Sequence, residues 1–96
     1  MCKLTVSVFI MENEDFYIFK RQLGRHLQAR RKECGLSQER AGELLGMDRV
    51  SVGYIEQGKR APKLSTLHAM TRLYGISFPE LFDFDAPSAA EPGSPH

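Results

Sequence analysis

Hydrophobic residues recur at intervals of three and four along much of the chain, which is the period of helices buried on one side. The clearest segment begins at Ser37, whose hydroxyl can cap a helix, and reaches Gly46, which can end that helix with a positive φ. Asp48 and Gly58 delimit a second helix in the same way. Gly42 leaves room for two backbones to approach closely. The sequence therefore predicts two short helices joined by a tight turn.

Three further helices complete the predicted all-α fold. The first covers about residues 20–33 and ends at Gly35, the fourth ends at Gly75, and a short fifth covers 77–82. Pro62 predicts a loop before the fourth helix, because proline lacks an N–H and disfavours helical conformation in the residue before it. Residues 86–96 contain three prolines and no apolar period, so we expect a disordered tail.

The N-terminal segment follows a different period. Leu4, Val6, Val8 and Ile10 occupy alternate positions, which is typical of a half-buried strand. One isolated strand is not stable, so this strand would pair with its symmetry mate in a dimer or lie on the helical core. A third alternative is that Met11 is the natural start. The predicted organisation is thus an extension over 1–18, a helical domain over 19–85 and a tail over 86–96.

Composition indicates one small domain without enzyme chemistry. Of 96 residues, 42% are hydrophobic and 26% charged, as in ordinary globular proteins. Cys2 and Cys34 lack metal-ligand spacing, and we expect reduced thiols in a cytoplasmic protein. No apolar run is long enough to span a bilayer, and no catalytic or phosphate-binding motif is present. The three histidines are widely separated (His26, His68 and His96), so we expect no metal and no cofactor.

The charge is polarised along the chain. Residues 19–82 contain twelve Lys and Arg but six Asp and Glu, whereas the flanks contain one Lys and six acidic residues. A basic surface attracts phosphate groups without reading a sequence. This distribution favours a nucleic-acid partner for the predicted helical domain.

The ordered series of positions resembles the phage repressor and Cro family of helix-turn-helix proteins, also called the xenobiotic-response-element family. It covers about residues 23–82 and includes Leu23-Gly24, the Gly35-Leu36-Ser37-Gln38 entry to the second helix, and Ile55-Glu56-Gln57-Gly58 at the end of the third. The resemblance implies a repressor-like domain that binds double-stranded DNA. The sequence departs from the family pattern at Ala41, where leucine is usual, and at Gly42, where alanine is usual.

The third helix carries the expected base contacts. Four of its residues project away from the apolar side and match the base-contacting positions of the family: Arg49, Val50, Gly53 and Tyr54. Arg49 can donate two hydrogen bonds to a guanine, and Val50 can contact a thymine methyl group. Gly53 would permit close approach, and the Tyr54 hydroxyl would reach a phosphate or a base.

Other residues are expected to contact the DNA backbone or to support the fold. Six positions at or near the ends of the two central helices can reach phosphates: Gln38, Ser51, Gln57, Lys59, Arg60 and Lys63. In the family, the positions of Arg31 and Glu56 form a largely buried ion pair, and the resemblance implies the same structural role here.

We therefore expect a transcriptional regulator that binds a palindromic operator as a homodimer, and we favour repression over activation. The C-terminal segment is more aromatic than so small a core requires, and four of its apolar residues form the expected dimer interface: Phe78, Leu81, Phe82 and Phe84. The alternatives are an antitoxin or a restriction-modification controller protein that also binds a protein partner through its termini.

Overall fold

Five α-helices make up the described part of the chain. A computed structural model describes the backbone of residues 5–84 and the side chains of residues 14–84. The helices are α1 (Thr5–Glu33), α2 (Gln38–Leu45), α3 (Arg49–Glu56), α4 (Leu64–Tyr74) and α5 (Phe78–Leu81). This architecture confirms the all-α fold and the five helices predicted from the sequence.

The capping residues predicted for the two central helices occupy their expected places. The Ser37 hydroxyl accepts a hydrogen bond from the Arg40 amide at 2.9 Å and begins α2. Gly46 ends that helix with φ +76°, a conformation that residues with a Cβ adopt only at a cost. Ser77 and Glu80 form a reciprocal capping box that starts α5. Local signals of this kind set the boundaries of the short helices.

The predicted N-terminal strand is wrong for Thr5–Ile10. These residues lie in α1, which starts at Thr5 rather than at residue 20 and continues to Glu33. No glycine or proline interrupts the sequence between Thr5 and Leu23. A helix satisfies its own backbone hydrogen bonds, whereas a strand needs a neighbouring strand, and residues 5–84 contain none. The predicted tail at 86–96 lies outside the described residues.

The core lies where α1 packs against α3 and α4, closed at one end by α5. Its buried residues come from all five helices and the turn after α4: Leu23, Leu27, Ala41, Val52, Ile55, Leu67, Met70, Tyr74, Ile76 and Leu81. Leu45 and Leu73 are only partly buried at the edge of this core. Within residues 5–84, no helix is both long and apolar enough to cross a membrane.

Gly24 lets α1 approach the end of α3 unusually closely. A Cβ at this position would lie 2.4 Å from the Ile55 carbonyl oxygen and 2.5 Å from that of Glu56. Both obstacles are backbone atoms, so they cannot move aside as a flexible side chain would. This contact fixes the C-terminal end of α3 against the longest helix.

Candidate nucleic-acid interface

Helix α3 begins at a rigid cap. Asp48 has an extended backbone, with φ −85° and ψ 166°, and its Oδ1 accepts a hydrogen bond from the Ser51 amide at 2.8 Å. This hydrogen bond lowers the pKa of the Asp48 carboxyl. The cap therefore stays ionised and fixes the first turn of α3, which carries Arg49 and Val50.

The turn between α2 and α3 is as tight as the sequence predicts. A Cβ on Gly42 would lie 2.5 Å from the Met47 carbonyl oxygen, so the small residue lets the turn pack directly on α2. The Met47 amide donates to the Gly42 carbonyl at 2.9 Å. These backbone contacts set the angle at which α3 leaves α2.

A buried carboxylate connects three helices beneath the exposed face of α3. Arg31 donates from Nε to Glu56 Oε2 at 2.7 Å and from Nη2 to Oε1 at 3.1 Å. The hydrogen bond to Glu56 raises the pKa of Arg31 above its ordinary value. Gln38 and Gln28 also donate to Glu56 Oε1, at 3.0 and 3.3 Å. Arg31 and Glu56 thus form a buried, bidentate ion pair that ties α1 to α3.

The Gln38 side chain has a different hydrogen-bond partner from the one expected. Its amide nitrogen was expected to face a phosphate, but in the structure it donates to Glu56. The side-chain amide also lies over Gly53, 3.6 Å from where a Cβ would be. Gln38 therefore links α2 to α3, and its remaining hydrogen-bonding capacity is what a phosphate could engage.

Three of the four predicted base-contacting residues share the exposed face of α3. Arg49, Val50 and Tyr54 are exposed, with Val50 at 52%. Gly53 is buried, and the expectation that it faces a groove is corrected by the Gln38 side chain that covers it. The exposed face consequently presents one guanidinium, one apolar group and one phenol.

Basic and polar side chains surround this face. Arg60 donates to the Ser51 hydroxyl at 3.0 Å, and its guanidinium lies 5.3 Å from the centroid of the Tyr54 ring. The Lys59 ammonium lies 5.9 Å from the same centroid. The other predicted phosphate contacts, Gln57 and Lys63, are also exposed. The loop after α3 therefore adds positive charge beside Tyr54.

Sequence reasoning missed two of these arrangements. The contact of Arg60 with Tyr54 depends on the path of the loop, because residues six apart do not share a helical face. Gln28 directly follows Leu27 and therefore lies about 100° around the helix from it, outside the apolar period, so periodicity gave no reason to single it out. Its spacing from Arg31 of three residues along one helix was the available signal.

Of the four residues predicted at the dimer interface, three are partly buried and one is fully buried. Phe78, Phe82 and Phe84 are partly buried and pack against the core. Leu81 is 0% exposed within the single chain. Its assignment to an interface is corrected on this ground, because a side chain enclosed by its own core offers no surface to a second chain.

Comparison with known proteins identifies the family of this fold. Residues 22–83 match the model of a helix-turn-helix domain, which is more than half of the chain. The chain belongs to the helix-turn-helix family. This membership confirms the resemblance stated from the sequence and gives the α2–α3 pair its family name, the helix-turn-helix.

Relatives of the helix-turn-helix domain include bacterial regulators. The HTH-type transcriptional regulator PuuR of Escherichia coli is 42% identical over 59 residues, which cover 62% of this chain and 32% of PuuR. The PuuR of Shigella flexneri matches equally. The match thus spans about a third of the length of these curated relatives.

Two solved structures share the fold. The restriction-modification controller protein C.AhdI from Aeromonas hydrophila aligns with a TM-score of 0.64 and 34% identity, over 68% of this chain and 94% of that protein. An HTH_3 family transcriptional regulator from Vibrio cholerae aligns with a TM-score of 0.63 and 31% identity, over 70% of this chain and 38% of the other.

Proposed function

We propose that this protein is a sequence-specific DNA-binding transcriptional regulator, with α3 as its recognition helix. The observation that carries this proposal is the exposed face of α3, where Arg49, Val50 and Tyr54 stand together on a helix held by a cap, a tight turn and a buried ion pair. A helix of this kind fits the major groove, where base edges can be read. The family membership and the regulators among its relatives support the same function.

Each exposed group has a suitable chemical partner on DNA. The Arg49 guanidinium can donate two hydrogen bonds to guanine O6 and N7, and Val50 can pack on a thymine methyl group. Lys59 and Arg60 both lie over the Tyr54 ring, so its hydroxyl and the two cations can approach one stretch of backbone phosphates. Arg49 and Val50 therefore read bases, while the loop after α3 positions the helix.

The regulator acts as a homodimer on a palindromic operator. One recognition helix reads only a few base pairs, whereas two related by a twofold axis read half-sites about 34 Å apart. The partly buried rings on and after α5, from Phe78, Phe82 and Phe84, form part of the surface that joins the two copies. Binding at such an operator represses transcription by excluding polymerase.

A restriction-modification controller is the second candidate. The match to C.AhdI covers 94% of that controller protein, whereas the match to PuuR covers 32% of the regulator. The two candidates differ in the genes that carry the operator. Sequencing the genomic fragments retained by the protein separates them, because a controller binds beside restriction and modification genes.

Selection of bound sequences from a random double-stranded DNA library tests the proposal. We expect an enriched palindrome whose guanine preference is lost in Arg49→Ala. Arg72→Ala is the matched control, since Arg72 is an exposed arginine on α4, outside the helix-turn-helix. An enriched motif that Arg49→Ala leaves unchanged contradicts the role of Arg49, and the absence of any motif contradicts the function.

Salt dependence separates the two kinds of contact. Lys59→Ala should weaken binding to all sequences and reduce the slope of log K against log salt by about one, because one phosphate contact is lost. Arg49→Ala should instead cost about 1–3 kcal/mol on the selected palindrome and far less on random DNA.

A further inference from the structure

The part of α1 that precedes the helix-turn-helix domain passes beside the C-terminal end of α3. The family match begins at residue 22, whereas α1 begins at Thr5. Gly58, which follows α3, lies directly on Arg21, since a Cβ at Gly58 would be 2.7 Å from Arg21 Cγ and 2.8 Å from its Cα. Gly58 is followed by Lys59. This contact therefore places a residue outside the family match next to the loop that was predicted to contact phosphates.

Arg21 lies on the side of α1 that opens toward the exposed face of α3. Gln28 follows Arg21 by seven residues, so the two side chains leave α1 within about 20° of each other. Gln28 donates to Glu56 Oε1, and Gln38 donates to the same oxygen. The Gln38 amide lies over Gly53, whose position around α3 falls within the exposed face. Arg21 and the exposed face of α3 therefore look toward the same side of the domain.

Arg21 and Tyr17 form a cation–aromatic pair like the one at Tyr54. The Arg21 guanidinium lies 5.8 Å from the centroid of the Tyr17 ring, and the Arg60 guanidinium lies 5.3 Å from that of Tyr54. Tyr17 and Arg21 are both exposed, as are Tyr54 and Arg60. A phenol hydroxyl and a guanidinium both donate hydrogen bonds to phosphate oxygens. Two sets of phosphate donors thus lie near the end of α3, one in the matched domain and one before it.

The charges near the end of α3 suit a polyanion. None of the ion pairs formed within residues 14–84 includes Arg21, Lys59 or Arg60, so these three cations are available to a partner. The nearby Glu56 carboxylate is already neutralised in its buried ion pair. Glu14 is exposed on the line of Arg21, about two turns earlier in α1, and repels phosphate there. The basic surface therefore includes Arg21 but ends before Glu14.

We propose that the segment of α1 before the helix-turn-helix domain is a second DNA-binding element, in which Arg21 and Tyr17 contact the phosphate backbone beside the stretch bound by Lys59. The Arg21 guanidinium forms a charge-assisted hydrogen bond to a phosphate oxygen, and the Tyr17 hydroxyl donates to a neighbouring one. The Tyr17 ring orients the guanidinium. These contacts read no bases, so they raise the affinity for every sequence. This inference rests on the proposed function and assigns it residues outside the family match.

The salt dependence of DNA binding by the full-length chain tests the Arg21 contact. Arg21→Gln removes the charge but keeps the Cγ that packs against Gly58. It should weaken binding to a duplex carrying the selected sequence at least about 5-fold, and lower the slope of log K against log salt by about one. Arg21→Lys should retain the slope, because the charge remains. Tyr17→Phe should weaken binding about 2-fold to 3-fold without changing the slope, since a neutral hydroxyl displaces no counterion.

Lys20→Gln is the matched control. Lys20 is the neighbouring cation, about 100° around α1 from Arg21, and its ammonium lies 5.0 Å from the centroid of the Phe16 ring. Its loss changes the net charge of the same segment by the same amount but should leave the salt slope unchanged. A decrease in slope equal to that of Arg21→Gln would show a general effect of net charge and overturn the proposal.

Ethylation interference on the selected duplex locates the contact. In each half-site, at least one phosphate whose ethylation blocks binding of the unaltered chain should no longer matter for Arg21→Gln, and it should neighbour a phosphate that depends on Lys59. If Arg21→Gln retains either the salt slope or the interference pattern of the unaltered chain, the α1 contact is wrong while DNA binding by α3 stands. If the unaltered chain binds no DNA even at low salt, the proposed function and this contact both fail. Circular dichroism of each variant ensures that weaker binding is not caused by unfolding.

Discussion

Removal of the Glu56 carboxylate should lower the free energy of unfolding much more than removal of an exposed carboxylate. In Glu56→Ala, Arg31 loses two hydrogen bonds, of 2.7 and 3.1 Å, and keeps only its 2.7 Å bond to the Leu36 carbonyl. The side chains of Arg31 and Glu56 are 7% and 1% exposed, so water does not readily replace the lost partner. The variant leaves a buried, uncompensated positive charge.

The expected cost follows from this burial. Breaking a buried ion pair by removing one partner costs about 3–5 kcal/mol. For a domain of this size, about 1 kcal/mol corresponds to a shift of roughly 4–8 °C in melting temperature. Glu56→Ala should therefore melt at least about 12 °C below the unaltered protein. An arginine side chain stays protonated at ordinary pH, so the loss should not be relieved by mildly alkaline buffer.

Urea denaturation followed by circular dichroism measures the free energy of unfolding. Glu43→Ala is a matched control, because Glu43 forms an ion pair with Arg40 at a similar distance, 2.9 Å, but both side chains are more than half exposed. Its loss should cost less than about 1 kcal/mol. The double variant R31M/E56L should lose much less than Glu56→Ala, since an apolar pair of similar volume avoids the uncompensated charge.

Two results would refute this reasoning. A Glu56→Ala variant within about 1 kcal/mol of the unaltered protein would show that the buried charge is tolerated or hydrated. An equal loss in Glu56→Ala and Glu43→Ala would show that burial does not determine the value of the pair. In either case the rigidity attributed to α3 would need another source.

Two further predictions concern packing and pH. Gly24→Ala should cost about 1–3 kcal/mol in urea denaturation, because its Cβ would meet the Ile55 and Glu56 carbonyl oxygens at 2.4 and 2.5 Å. Gly53→Ala, whose Cβ would have an ordinary 3.6 Å contact, should be neutral or stabilising, and an equal cost would refute the argument. Burial raises the pKa of Tyr74 from 10.0 to about 12. The unfolded chain therefore loses this proton at a lower pH than the folded chain does. The free energy of unfolding should consequently fall by about 2–3 kcal/mol between pH 10 and 12. Tyr74→Phe should lack this part of the alkaline loss of stability. Identical pH profiles of stability for Tyr74→Phe and the unaltered protein would contradict this prediction.

Much of the helix-turn-helix could be predicted because its signals are local. Ser37 and Asp48 cap helices through atoms three residues away, and Gly46 adopts its positive φ within a single residue. The ion pair was different in kind, because Arg31 and Glu56 are 25 residues apart and no spacing rule brings them together. Only the family resemblance indicated that pair.

The errors share a physical cause. Helical periodicity identifies which side of α3 faces away from the core, and Gly53 lies on that side by sequence. Its burial comes from Gln38, a long side chain on another helix. Leu81 was assigned to a surface because it lies among the C-terminal aromatic residues, and its burial against α1 depends on how the short α5 turns back. Tertiary packing, which a single sequence does not display, determined both positions.

The N-terminal segment shows that the absence of a neighbouring strand determines which secondary structure forms. Alternating β-branched residues favour a strand only when a neighbouring strand accepts the backbone hydrogen bonds. Without one, the same residues continue α1, whose amides are satisfied within the helix. Helical stability in proteins comes mostly from packing an apolar side. The 50% and 53% exposure of Phe16 and Tyr17 shows that this packing is incomplete in the single chain.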